Sequence, residues 1–405
     1  MNHQVVITGV GVISPLGDSL PHLHEALCAG RCAIYAIELF STHGCGCPAG
    51  AEVKSFDAQK YLGKVNLRPL DRTGRFAASA ASLALGDSGW TAEAIEKTGV
   101  GLVLGTMFGS VRTISEFDRR ALEAGPVYAS PMDFSNTVIN AATGQTAIVH
   151  KLHGLNSTIS AGQTSGLQAI AYASDMIRQG RAEALLAGGA EEICFESFYN
   201  FDRAGLLCRG PHEHRPVPFD AQRNGFVLGE GAALLMLENE ASALARGART
   251  LGRVSGAASG YDSTGGGNAV KVIARTIEAA LTDARVNAGE IDCVSCSANG
   301  DIEGDQSEAN ALATVFGKRA QQPAVTAIKS MLGETLGAAG ALQTAAMIGT
   351  IHDGALPGIH GFESADSDCP VPRLTAGNLS VDARAALINS IGFDGHCCSL
   401  VLSKV

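Results

Sequence analysis

Ser157-Thr158-Ile159-Ser160 runs directly into Ala161-Gly162-Gln163-Thr164-Ser165-Gly166, and residues 164–179 then follow a helical spacing. Leu167, Ile170, Ala171 and Ile177 fall on one face of that helix, and Gly180 is a natural stop just past its end. Residues 184–188 form a second short apolar run. The second half of the chain repeats the pattern. Residues 324–328 read as a strand, 337–352 as a helix with Gly354 beyond it, and 385–390 as the matching strand. Both copies place a glycine-rich turn between strand and helix. Two similar α/β halves predict a pseudo-symmetric layered fold with a site between them.

The flanking sequence fits that reading. Val5–Ile13 is a strand candidate ending in Ser14-Pro15-Leu16-Gly17. Residues 71–88 are rich in alanine and helical, 100–105 form a buried strand leading into the loop 106–110, and 136–152 have helical spacing. No linker divides the chain, and the charged stretch 238–249 is the best mid-chain seam, giving halves of 1–240 and 241–405. Thr8-Gly9-Val10-Gly11 lacks the third glycine and the later acidic residue of a dinucleotide loop, so it reads as a glycine-rich strand end.

Composition removes several function classes. Hydrophobic residues make up 46% of the 405 residues and charged ones 17%, which excludes bulk disorder. A net charge of −10 argues against nucleic acid and anionic membrane surfaces. Aromatics at 5% leave no stacking surface for single strands. No apolar run approaches the roughly 18 residues of a spanning helix, and the first Lys or Arg is Arg31, so a signal peptide is not expected. The eleven cysteines suit a reducing cytoplasm as small buried hydrophobes. Cys293 and Cys296 form a lone CxxC, weak evidence for zinc, and no metal or cofactor is expected.

The turn at 160–166 has the form of a nucleophile elbow. Small residues flank one presented side chain, and a helix N-terminus favours developing negative charge there. The presented residue is Gln163, whose carboxamide exchanges hydrogen bonds but does not attack carbon. The geometry is catalytic and the chemistry is not.

At this point the chain resembles the β-ketoacyl synthase family, the condensing enzymes of fatty-acid and polyketide synthesis. The resemblance spans essentially the whole sequence. It rests on Ile7-Thr8-Gly9-Val10-Gly11, Ser14-Pro15-Leu16-Gly17, Ala187-Gly188-Gly189-Ala190-Glu191 and Pro218-Phe219-Asp220 with Arg223. Gly225-Phe226-Val227-Leu228-Gly229-Glu230-Gly231, Lys329-Ser330-Met331, Gly337-Ala338-Ala339-Gly340 and Asn389-Ser390-Ile391-Gly392-Phe393 complete it. The family implies the thiolase-like fold, a duplicated five-layer α/β/α/β/α arrangement that dimerises.

The departures carry the functional reading. Active members have Cys at the elbow, where Gln163 stands here. Their Asn-Ala-His-Gly-Thr motif becomes Ser297-Ala298-Asn299-Gly300-Asp301, which puts Asn299 in the first histidine's place. The second histidine, after Lys-Ser-x-x-Gly, becomes Glu334. Lys329 and Glu308 are retained, and the resemblance implies a structural ion pair between them. His396 is read as a packing or surface residue, since the family does not use that slot. Condensation requires a thiolate and donors for an enolate. Gln163 removes the first, and an ionised Glu334 would repel both enolate and malonyl carboxylate.

Two subgroups carry Gln at the elbow. One is the chain length factor, or KSβ, the inactive partner of a catalytic ketosynthase in type II polyketide synthases. The other is a malonyl-carrier-protein decarboxylase, which keeps both histidines. Loss of both favours the first, and a degenerate synthase with a new activity also fits the letters. The chain length factor reading implies a heterodimer with a ketosynthase and an acyl carrier protein bearing a phosphopantetheine-bound chain. It assigns Met107, Phe108, Ser110, Asp133, Phe134, Asn136 and Phe393 to tunnel or interface. Phe108 is the expected tunnel stop, or else an ordinary core aromatic. The segment 132–136 matches the part that reaches into the partner, where Asp133 leaves room or water, or else is a surface turn residue.

Overall fold

The computed structural model describes residues 3–209, 215–317, 322–371 and 373–405. Val5–Ile13 is buried along its whole length, as a strand covered on both faces must be. It pairs antiparallel with Gly231–Asn239 on one side and Gly252–Tyr261 on the other. A Cβ at Gly11 would stand 1.9 Å from the Ala80 carbonyl oxygen, so this glycine exists to admit the backbone of the helix Arg72–Asp87. That contact confirms the strand reading of Thr8-Gly9-Val10-Gly11.

The duplication is visible in the sheet. The first half supplies Val5–Ile13, Gly101–Gly105, Asn156–Ile159, Ala184–Glu191 and Gly231–Asn239. The second supplies Gly252–Tyr261, Cys293–Ser295, Ala324–Thr326, Ala385–Ile391 and His396–Ser403. Counted in chain order within each half, neighbours across the sheet run third, second, fourth, fifth, first in both. The second strand is parallel to the third and fourth in each half, and the fourth, fifth and first are antiparallel. The halves join where Val5 and Ile7 face Val254 and Gly252.

Helices complete the layers. Ser165–Arg178 and Ala339–Asp353 pack on each other between the halves. Arg72–Asp87 and Ala141–His150 cover the first half, and Ala269–Ala284 with Ile302–Phe316 cover the second. Ala339–Asp353 is buried on every face from Ala339 to Ile351, which explains why its sequence is apolar all round. The large shared core gathers Ile7, Leu167, Ile170, Leu342, Met347 and Ile388 from both halves. This is the duplicated thiolase-like arrangement expected from the sequence.

One expectation is corrected. The helix over 136–152 shortens to Ala141–His150. Asn136 is buried with its amide donating to the Pro69 carbonyl at 2.8 Å, and Thr137 bonds back to the Phe134 carbonyl. These local side-chain bonds compete with a helix. Among the described residues no helix is long and apolar enough to cross a membrane.

Candidate functional site

The elbow forms where Asn156–Ile159 gives way to the helix Ser165–Arg178. Gly162 takes a positive φ of 59°, and a Cβ there would meet the Asp394 carboxylate at 2.2 Å, so only glycine fits. Gln163 is buried. Its backbone carbonyl accepts from Ser390 Oγ at 3.2 Å, and its side-chain Oε1 accepts from the Phe393 N–H at 3.1 Å. A backbone donor at an elbow is the kind of group that holds a thioester or oxyanion oxygen. Here the protein's own carboxamide takes it.

The second half brings the other two replaced positions together. Asn299 lies in the loop after Cys293–Ser295, and Glu334 follows the short helix Lys329–Leu332. Asn299 Nδ2 donates to Glu334 Oε2 at 2.8 Å. Lys329 Nζ reaches the same oxygen at 2.8 Å and the Ser297 hydroxyl at 3.3 Å. The Leu336 N–H donates to Glu334 Oε1 at 2.9 Å. Every member of this network is buried.

The expected Lys329–Glu308 ion pair is not formed. Lys329 pairs with Glu334 because the carboxylate at that position sits one turn away and offers a nearer anion. Glu308 instead accepts from the Ser297 and Ala298 N–H groups at 3.0 and 2.8 Å and from Asn389 Nδ2 at 3.1 Å. Burial raises its carboxyl pKa. Asp305 accepts from the Phe219 and Asn299 N–H groups at 2.9 and 3.0 Å, and burial pushes it up to about 7.

Little space remains between these groups. The cavity lined by Gln163, Asn299, Phe226, Gly392 and Phe393 measures about 60 Å³. That is room for a few waters, against the ~300 Å³ and upward of ordinary ligand pockets. Aromatic rings fill the path away from the elbow. Phe393 meets Phe201 at 5.6 Å between centroids, and Phe201 meets Phe226 at 5.5 Å and Phe108 at 5.9 Å. Sequence reading missed Phe201 and quoted Phe226 only as part of the motif 225–231. The available signal was four aromatics in seven residues, Phe195, Phe198, Tyr199 and Phe201, in a chain only 5% aromatic.

The remaining assigned residues separate into two groups. Met107, Phe108 and Ser110 lie on the loop after Gly101–Gly105. Glu191 holds that loop, accepting from the Met107 and Phe108 N–H groups at 2.5 and 3.0 Å and from Gly337 N–H at 3.2 Å. Burial pushes Glu191 up to about 7. Asp133, Phe134 and Asn136 lie apart from the elbow. Asp133 pairs with Arg120 at 3.0 Å, and Phe134 is 63% exposed with its ring near Phe117. His396 packs on Tyr261 and contacts Asp394 at 3.1 Å, in keeping with a packing role.

Comparison with known proteins agrees with this architecture. Residues 2–243 match the β-ketoacyl synthase N-terminal domain family and residues 251–363 the C-terminal domain family. The chain is 30% identical over 407 residues to 3-oxoacyl-(acyl-carrier-protein) synthase 2 of Synechocystis sp., covering 99% of this chain and 98% of the relative. The structure of the ishigamide ketosynthase/chain length factor superposes with a TM-score of 0.94 at 31% identity, over 100% of both chains. A type II polyketide synthase acyl carrier protein in complex with its ketosynthase bound to the hexaketide gives a TM-score of 0.89 at 26% identity, again over 100% of both chains. With two matched domains, a duplicated sheet and an elbow that carries glutamine, the chain belongs to the β-ketoacyl synthase family.

Proposed function

We propose that this chain is a non-catalytic chain length subunit of a type II polyketide ketosynthase pair, built from halves that meet near residue 240. A catalytic partner extends a chain on acyl carrier protein, and this subunit forms part of the tunnel wall. The observation that carries the reading is the occupied elbow, where Gln163 satisfies the Phe393 donor and only about 60 Å³ stays open. Decarboxylation needs free donors for an enolate, yet one N–H of the Asn299 amide is taken by a buried carboxylate, whose charge would oppose the enolate's. Eleven unpaired thiols support a cytoplasmic setting.

The surface supports pairing. Leu122, Val127, Tyr128 and Phe134 are 85%, 90%, 72% and 63% exposed within one short stretch. Asn156–Ile159 is an outer strand of the sheet and half-exposed, whereas the opposite outer strand, Ala324–Thr326, is buried. An exposed apolar cluster and an open strand edge are features that a partner covers.

Co-expression with a ketosynthase that keeps its Cys and both His tests this. The two chains co-purify, and Phe108→Ala lengthens the product by removing a ring from the aromatic series. Unchanged product length takes Phe108 out of the wall. A covalent acyl adduct on this chain, or carbon dioxide released from malonyl carrier protein by this chain alone and lost in Asn299→Ala, overturns the non-catalytic reading.

A further inference from the structure

Three buried side chains of the second half converge on one oxygen. Glu334 Oε2 accepts from Lys329 Nζ and from Asn299 Nδ2, each at 2.8 Å. An amine and a carboxamide are thus held one hydrogen bond either side of a carboxyl group. Lys329, Asn299 and Glu334 are 2%, 8% and 0% exposed. Lys329 Nζ also donates to Ser297 Oγ at 3.3 Å, which lays it along the loop that carries Asn299. The tunnel-wall role makes no use of this lysine.

Further contacts aim the carboxamide. Asn299 Oδ1 accepts from the Asp301 N–H at 3.0 Å, a donor placed where negative charge on that oxygen would grow. Glu334 Oε1 accepts from the Leu336 N–H at 2.9 Å, which fixes the carboxyl with Oε2 towards both nitrogens. The Gly300 N–H, the usual attacker of an Asn-Gly side chain, donates instead to the Asp305 carboxyl at 3.2 and 3.3 Å. Asn299 lines the cavity of about 60 Å³, so a molecule the size of ammonia has room beside it.

A neutral lysine amine is a nucleophile, and a fixed neighbour replaces a chance encounter. Removal from water penalises the charged pair and so lowers the cost of moving its proton. We propose that Lys329 and Asn299 join in an isopeptide cross-link, with Glu334 as the proton carrier. Lys329 passes one proton to Glu334, and the neutral amine attacks Asn299 Cγ. The Nζ–Cγ bond forms, and the Asp301 N–H holds the oxyanion on Oδ1. Glu334 gives its proton to Nδ2 and takes another from the attacking nitrogen. The Cγ–Nδ2 bond breaks and ammonia leaves, with Glu334 still protonated and no co-reactant consumed. The link ties the loop after Cys293–Ser295 to the turn after its neighbouring strand, Ala324–Thr326. It stands whether or not the tunnel-wall reading holds.

Mass measurement on the purified full chain, denatured, tests this. The wild type is expected to lie one ammonia below the mass of its sequence. Trypsin leaves the bond after Lys329 uncut, and the peptide bearing Asn299 stays joined to the one bearing Lys329. Lys329→Met and Glu334→Gln each restore the full mass. Asn299→Asp loses water in place of ammonia and reaches the same mass as the wild type. A wild-type chain at its full sequence mass overturns the proposal, and that result needs no variant to fold. So does an ammonia loss that persists in Lys329→Met, which marks ring closure at Asn299-Gly300, or a link that survives Glu334→Gln. A loss of water from the wild type, which marks a Lys329–Glu334 bond, overturns it as well. Product length and co-purification with the ketosynthase are separate readouts, so the tunnel wall and the cross-link fail independently.

Discussion

On the proposed non-catalytic reading, one side chain, Gln163, closes the reaction. Its carboxamide cannot attack a thioester, and its oxygen already occupies the Phe393 donor. Restoring the sulfur alone is therefore insufficient. Gln163→Cys is expected to give no condensation with malonyl carrier protein, since Asn299 and Glu334 supply no imidazole; product formation by that variant in isolation would contradict this. The Lys329–Glu334 pair gives a stability prediction. Lys329→Met strands a buried carboxylate and costs about 3–5 kcal/mol, read as a lower denaturant midpoint of the assembled pair. Adding Glu334→Leu recovers only part of that loss, because it removes the stranded charge but leaves the Asn299 amide and the Leu336 N–H without their acceptor. The three replacements were implied by the resemblance to active family members. The partner of Lys329 was not legible, because Glu308 and Glu334 both fit the sequence and only distance separates them.

The helices and strands place those residues, and some of them face outward. Tyr128→Lys with Phe134→Lys puts charge into the exposed apolar cluster. It is expected to abolish co-purification with a tagged ketosynthase while barely changing this chain's own core, since both side chains are mostly in solvent. Retained co-purification would move the interface elsewhere. Gly11→Ala acts inside, where the added methyl meets the Ala80 carbonyl, and loss of soluble protein is the expected readout. The strand–helix–strand repeat was legible because apolar periodicity reports which face is buried. Residues 136–140 and Phe201 were not. The first depend on an amide reaching Pro69, and the second on a helix carrying its ring to the elbow.

Over the whole molecule, buried carboxyls make stability depend on pH. Glu191 and Asp305 are pushed up to about 7, so the folded chain holds protons that the unfolded chain releases near 4 to 4.5. Their contribution is present in acid and declines as pH rises from there towards 7, by at most about 1.4 kcal/mol per unit for each group. Denaturant midpoints at about pH 5 and about pH 7.5 should differ in that direction, and Glu191→Gln should flatten part of the slope; a rise in stability towards neutral pH would refute the assignment. The primary structure alone established a duplicated α/β architecture, because apolar period is a local property, and its resemblance to the β-ketoacyl synthases implied that two amides and a carboxylate stand in place of a catalytic triad. Which rings block the elbow, and which backbone groups the buried Glu191 carboxyl holds, depend on residues far apart in the chain. Folding alone brings them within a few ångströms, the range over which hydrogen bonds and packing act.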